Sequence, residues 1–331
     1  MTQFLRKYRV LFLIISIIFI YNACKPSTRN THPALVKIST GRPVDNWKPP
    51  IFNFDTLTTD EGLKKIIYGH DLISHTAKYF GPAGSISKNS NGMNCQNCHL
   101  ESGTKPWGNS YAAVGASYPK FRARSGTVES IPIRVNDCFE RSLNGKPIDT
   151  SGYEMTSIVS FIQWVGQNVK KDALPKGTAI TELPYLDRAA SAATGKKIYI
   201  QNCLSCHGKD GQGIKSPNGV EYTYPPLWGA HSYNNGAGMF RISRLAGFVK
   251  DNMPFGQAKH QNPVLTTEEA WDVSAYVNSQ PRPNANTAKD WPNITAKPID
   301  NPLGPYSDSF KESQHKYGPF KPIAAKIKEK A

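Results

Sequence analysis

Cys95-Gln96-Asn97-Cys98-His99 and Cys203-Leu204-Ser205-Cys206-His207 are the two stretches that decide the fold. Both follow C-x-x-C-H, the pattern of covalent c-type haem attachment, in which two thiols form thioether bonds and the histidine offers an axial iron ligand. One such pentad can arise by chance or mark a different metal site. Two behind an export segment point to two haem groups, attached through Cys95, Cys98, Cys203 and Cys206, with His99 and His207 as axial ligands. The fold expected is mainly α: two cytochrome c-type haem domains in tandem, with irregular loops and an extended C-terminal tail.

Length agrees, since 331 residues suffice for two cores. Lys plus Arg number 40 against 25 Asp plus Glu, a net charge of +15, so the surface should attract anions or acidic partners. Nucleic acid is excluded as a partner on this reading, because no nucleic-acid-binding motif accompanies the charge. Residues 1–23 read as a signal peptide. Arg6, Lys7 and Arg9 form its basic flank, and the apolar run over 10–21 is short for a membrane span. Ile20-Tyr21-Asn22-Ala23-Cys24 resembles a loose lipoprotein box, in which Cys24 would be acylated; the alternative is a soluble protein with a spare thiol. Either outcome places the chain in the periplasm, with or without a lipid anchor.

The remaining chain divides by composition and periodicity. Residues 24–50 are a linker or tether, 51–180 the first haem domain, 181–285 the second, and 286–331 a Pro-rich basic tail laid over both, with no fold of its own. In the first domain a helix should start at Thr59-Asp60-Glu61-Gly62, irregular chain should wrap the cofactor after His99, and an apolar helix should run near 155–169. In the second, a helix over 189–202 leads into the haem pentad. Gly208 to Gly213 form a glycine-rich turn, and Tyr224-Pro225-Pro226-Leu227-Trp228-Gly229 is a rigid loop suited to a porphyrin face. Helices follow over 240–249 and from Thr266, where Thr266 and Glu269 form a capping box.

Subtracting the pentads and Cys24 leaves Cys138 without a disulfide partner. Its surroundings, from Pro132 to Gly145, read as a helix that ends at a glycine suited to the left-handed conformation. Arg134, Cys138, Arg141 and Ser142 then share one face, and Val135, Phe139 and Leu143 form the adjacent apolar stripe. A free cysteine is ordinarily a small core residue. Here the haem motifs favour a ligand role. Methionine raises a haem potential and thiolate donates electron density, so the second axial ligands matter. For the second haem the candidate is Met253, followed by Pro254; core filling is the plain reading, and Met239 is the competitor. No Met-Pro follows His99, and Met155 lies in an apolar pattern. Cys138 can therefore ligate the first haem, with His70 and His75 as alternatives. Arg122, Arg124, Arg134 and Arg141 suit a doubly charged oxyanion, although any one of them could meet a haem propionate or solvent.

These residues resemble the diheme thiosulfate dehydrogenases. The likeness rests on residues 95–105, 134–145, 224–229, 234–239 and 269–273, and extends to Gly304-Pro305-Tyr306-Ser307-Asp308 and Gln314-His315-Lys316-Tyr317-Gly318-Pro319-Phe320. The resemblance implies thiolate ligation by Cys138, substrate contacts at Arg124, Arg134 and Ser142, and methionine ligation by Met253. Some members carry a lysine just before that methionine and exchange the two ligands on reduction. Here the position is Asn252, which puts such a switch in doubt. The implied reaction joins two thiosulfates into tetrathionate, reversibly in some relatives, with two electrons leaving through two haem c groups to a soluble cytochrome or other periplasmic acceptor. Cys138 would bond the outer sulfur of one thiosulfate, and a second would attack it. Two other readings stay open: a diheme electron carrier without a substrate, and a cysteine S-thiosulfotransferase-like haem subunit of the sulfur-oxidation system. A diheme peroxidase fits less well, because the first haem has a strong sixth ligand.

Overall fold

The protein is described by a computed structural model covering residues 46–330. The signal peptide, Cys24 and the tether as far as residue 45 lie outside the described residues. Helix α1 (Glu61–Ser74) begins where the Asp60 carboxylate accepts the Leu63 N–H at 2.7 Å, satisfying a first-turn donor that has no helical partner. It leads into the short α2 (Thr76–Phe80). After the first haem pentad come α3 (Ala112–Ser117), an antiparallel hairpin of β1 (Lys120–Arg122) and β2 (Thr127–Glu129), then α4 (Ile131–Arg141) and α5 (Tyr153–Val165). The second domain holds α6 (Ala192–Asn202), α7 (Leu204–His207), the paired strands β3 (Ile214–Lys215) and β4 (Tyr222–Tyr224), α8 (Ile242–Asn252) and α9 (Thr267–Ser279). Among the described residues, no helix is long and apolar enough to cross a membrane.

Each domain is closed by a crossing of its first and last long helices, α1 on α5 and α6 on α9. A glycine makes each contact close. A Cβ at Gly69 would stand 2.1 Å from the Ser157 carbonyl oxygen, and one at Gly195 would stand 1.9 Å from the Asp272 carbonyl oxygen. Both neighbours are backbone and cannot turn aside. The two domains share one continuous apolar core, in which Leu72, Phe139 and Phe161 of the first connect to Tyr199, Trp228 and Phe248 of the second. Thr266 caps α9 as expected, its Oγ1 accepting the Glu269 N–H at 3.1 Å while Glu269 accepts the Thr266 N–H at 2.8 Å.

Three local expectations are corrected. The Cys138 helix ends at Arg141, and Asn144, not Gly145, takes the positive φ of 45°. Gly145 is needed for a different reason: a Cβ there would lie 1.9 Å from the Asn89 carbonyl oxygen. The chain between the first haem pentad and α4 is less irregular than expected, because it contains α3 and the hairpin. The tail is also more ordered than its proline content implies, forming α10 (Glu312–Tyr317) and α11 (Lys321–Lys330). Phe320 and Ile323 bury against Trp271 and Ile242, so the tail completes a second apolar cluster.

Candidate active site

Helix α4 places Cys138 on the wall of a cavity of about 460 Å³, which Cys95, Cys98 and His99 also line. The helix is oriented by its apolar stripe: Phe139 is fully buried edge-on to Phe80 at 5.3 Å, and Leu143 is buried beside it. The same cavity is lined by Arg124, Arg134 and Ser142, and by Arg122 and Arg141. His70, His75 and Met155 are not part of its lining. His70 stacks on Phe54 at 3.9 Å, His75 faces Glu221 at 3.0 Å, and Met155 is fully buried.

His99 is prepared as a ligand by its neighbours. Its Nδ1–H donates to the Asn109 carbonyl at 2.6 Å, which fixes the tautomer and leaves Nε2 as the free ring nitrogen. Asn109 holds the left-handed conformation, φ 61°, and its own amide donates to the Cys98 carbonyl at 3.2 Å. Burial pushes His99 down to about 4, favouring the neutral imidazole that binds iron, and pushes the Cys95 and Cys98 thiols up to about 12. Tyr111 stacks on the His99 ring at 4.4 Å, and Ile73, Ile158 and Ile162 supply apolar walls. A flat apolar macrocycle tethered at two thiols fits these surroundings, so the cavity suits a c-type haem.

The second pentad repeats the device. His207 Nδ1–H donates to the Pro225 carbonyl at 2.9 Å, in the rigid loop ahead of the buried Trp228. Burial pushes the Cys203 thiol up to about 12. Met253 caps α8 in extended conformation, half-buried against the core. The preceding Asn252 donates through Nδ2 to the Trp107 carbonyl at 3.1 Å, so the Met253 segment is tied to the loop after the first pentad. Met239, the other methionine considered for the second haem, lines the first cavity.

The arginines differ in their freedom. Arg141 donates twice to Asp290, at 2.9 and 2.8 Å, and so is claimed by a carboxylate of the tail. Arg122 lies 3.9 Å from Glu129. Arg134 lies 3.7 Å from Asp137, and a Cys138 thiolate beside it pushes its guanidinium pKa up, against the opposing effect of burial. Arg124 donates to the Gly236 carbonyl at 3.1 Å and lies 3.9 Å from Asp290; burial, reinforced by the charge of Arg141, lowers its pKa to about 10. Asp290, Trp291 and Arg241 belong to the site but carry no local sequence signal. The tail supplies Asp290 and Trp291, the segment before α8 supplies Arg241, and all three lie more than a hundred residues beyond Cys138 in sequence.

Residues 85–170 match the family described as SoxA/TsdA, cytochrome c domain, and residues 192–281 match cytochrome c. The thiosulfate dehydrogenase of Psychrobacter arcticus is 36% identical over 242 residues, covering 72% of this chain and 70% of the relative. That of Allochromatium vinosum is 36% identical over 224 residues, covering 66% and 79%. The chain belongs to the thiosulfate dehydrogenase family. The thiosulfate dehydrogenase TsdBA from Marichromatium purpuratum, in its as-isolated form, superposes with a TM-score of 0.64 at 29% identity. That match covers 72% of this chain and 50% of the solved one, so this chain spans half the length of that relative. As a member of the family it carries two cytochrome c domains in tandem and two covalently bound haem c groups.

Proposed function

We propose that the chain oxidises two thiosulfates to tetrathionate at Cys138. The observation that carries this reading is the single cavity in which Cys138, Arg124, Arg134 and Ser142 face the haem-attaching pentad. Arg134 and Arg124 would bind the sulfonate oxygens of the first thiosulfate through charge-assisted hydrogen bonds, with Ser142 as a neutral donor. Held in that way, the outer sulfur meets the Cys138 Sγ. Bond formation gives Cys–S–S–SO3⁻ and releases two electrons. The two haems, when bound, supply the acceptors for those electrons. A second thiosulfate then attacks the outer sulfur of the adduct, and Cys138 leaves as thiolate. The sum is two thiosulfates giving one tetrathionate and two electrons.

In this proposal Cys138 would also hold the iron of the first haem, leaving it to react, and Met253 would hold that of the second. The arginine-lined wall supports the first assignment, because a thiolate is stabilised by neighbouring cations. The half-buried Met253, followed by Pro254 and packed on the shared core, supports the other. Residues 1–23 support export to the periplasm, and Cys24 supports a lipid anchor there. The excess of basic over acidic residues suits an acidic soluble cytochrome as electron acceptor. The test is anaerobic mixing of the oxidised, haem-loaded protein with thiosulfate while haem absorbance and tetrathionate are followed. Haem reduction with tetrathionate appearing is the expected result, and Cys138→Ala should abolish both. Full turnover by a fully haem-loaded Cys138→Ala would refute the mechanism.

A further inference from the structure

A second cavity of about 700 Å³ adjoins the first on the side of the tail. Its walls are the loop at Asn235 to Ala237 and the tail between Thr287 and Tyr306, and Arg124, Arg241 and Trp291 line both cavities. Its charges are unbalanced. Arg124, Arg241, Lys289 and Lys297 face one carboxylate, Asp290. That carboxylate is already bound twice by Arg141, and Arg241 is matched by Asp300. Arg124, Lys289 and Lys297 therefore remain as the positive lining. Lys297 is held in place by the Pro305 carbonyl at 2.9 Å and lies over the Tyr306 ring at 5.2 Å. The Tyr306 ring stacks on His315 at 3.7 Å, and its buried hydroxyl has no hydrogen-bond partner among the described residues.

A reaction that joins two dianions has a difficulty the first cavity does not resolve. Once Cys138 holds one thiosulfate, its sulfonate charge repels the next. A positively lined chamber that shares a wall with the first offsets that repulsion. We infer that this tail-walled cavity is the holding site for the second thiosulfate, bound by Lys289, Lys297 and the Tyr306 hydroxyl and passed to the Cys138 adduct across Arg124. The inference rests on the thiosulfate reading above. It gives the tail a role in substrate binding, since Lys289, Lys297 and Tyr306 all come from the tail.

The test separates the two half-reactions in the full-length, haem-loaded protein. Oxidised protein is treated with tetrathionate: the Cys138 thiolate takes one S–SO3⁻ unit and one thiosulfate leaves, so the adduct is loaded without electron transfer. Excess reagent is removed, and loss of the adduct mass is followed against thiosulfate concentration and, separately, against 2-mercaptoethanol. Lys289→Gln, Lys289→Gln/Lys297→Gln and Tyr306→Phe are compared with wild type. The expected result is that each lost charge raises the half-saturating thiosulfate concentration about fivefold at low ionic strength, while release by the neutral thiol is unchanged. Equal slowing with the neutral thiol would show a structural effect and overturn the inference. An unchanged thiosulfate dependence in both lysine variants would overturn it as well. Failure of wild-type protein to form the adduct would instead remove the thiosulfate mechanism, and this inference with it.

Discussion

Asp290→Asn should both destabilise the protein and tighten its hold on thiosulfate. The Asp290 side chain is 12% exposed and the Arg141 side chain 16%. They make two charge-assisted hydrogen bonds at 2.9 and 2.8 Å, and Arg124 adds a second cationic neighbour at 3.9 Å. A unit pair near 4 Å is worth about 4 kcal/mol at an effective dielectric of about 20, before the cost of desolvation. Removing one partner of a buried pair leaves the other uncompensated, at a cost of roughly 3–5 kcal/mol. The residual exposure places this pair at the lower end, about 3 kcal/mol. Asparagine keeps the shape and one acceptor but turns an N–H toward a guanidinium that can only donate. For a chain of this size the loss corresponds to a fall in apparent Tm of roughly 6–12 °C. The Arg141 charge, then balanced only by Asp137 at 3.7 Å, faces the cavity beside Arg124 and Arg134, so the KM for thiosulfate should fall. The assays are thermal unfolding of the haem-loaded protein and steady-state turnover at low ionic strength. If the Tm stays within a degree and the KM does not move, the pair neither fastens the tail nor balances the site.

Further outcomes follow from the same structure. Gly195→Ala places a methyl group 1.9 Å from a backbone oxygen, so α6 and α9 must separate; a loss of about 3 kcal/mol and reduced haem content of the second domain are expected, read by haem quantitation of the purified protein. Gly69→Ala should do the same to the first domain, where the approach is 2.1 Å. Thr266→Ala removes one half of the α9 capping box and should cost about 1 kcal/mol in denaturant unfolding, with both haems retained. The pKa of His70 is lowered by burial, so the folded state stays neutral where the unfolded chain takes up a proton. The stability that this mismatch supports is present above the unfolded pKa and declines as pH falls from about 6.5 toward the folded value. His70→Gln should flatten the Tm profile between pH 7 and 5.

Much of the site was legible because its signals are local. The haem pentads need two thiols and a histidine within five residues, and the Thr266 capping box closes within four. The face shared by Arg134, Cys138 and Ser142 follows from helical periodicity alone. What sequence concealed depends on long-range packing. Asp290 and Arg141 are 149 residues apart, and only the fold brings them together. Without that pairing all four arginines look equally available, whereas Arg141 is in fact engaged. Met239 and Gly145 show the same limit. A methionine following the second pentad looks like a ligand for that haem, yet the shared core brings it to the first cavity. Gly145 looks like a left-handed cap, yet the approach of Asn89 is what excludes a side chain. In the tail, prolines masked two helices whose stability comes from burying Phe320 and Ile323 rather than from local propensity.

The continuous core also bears on how two electrons can leave one site. Two separate cytochromes would have to meet by diffusion after each bond-forming event. Here the link between the domains is structural: apolar packing runs from α1 and α5 through Trp228 to α9, and the Asn252 amide fixes the Met253 segment to the loop that orients His99. Asn109 in that loop accepts from the His99 ring, and Trp107, two residues earlier, accepts from Asn252. The orientation of the His99 ring and the position of the Met253 segment are thus set by one short segment. Its left-handed residues, Trp107 at φ 61° and Asn109 at φ 61°, persist because hydrogen bonds from both domains hold them. A chain built in this way holds its two haem-attaching pentads in one packed unit, which suits the two-electron reaction proposed above at Cys138.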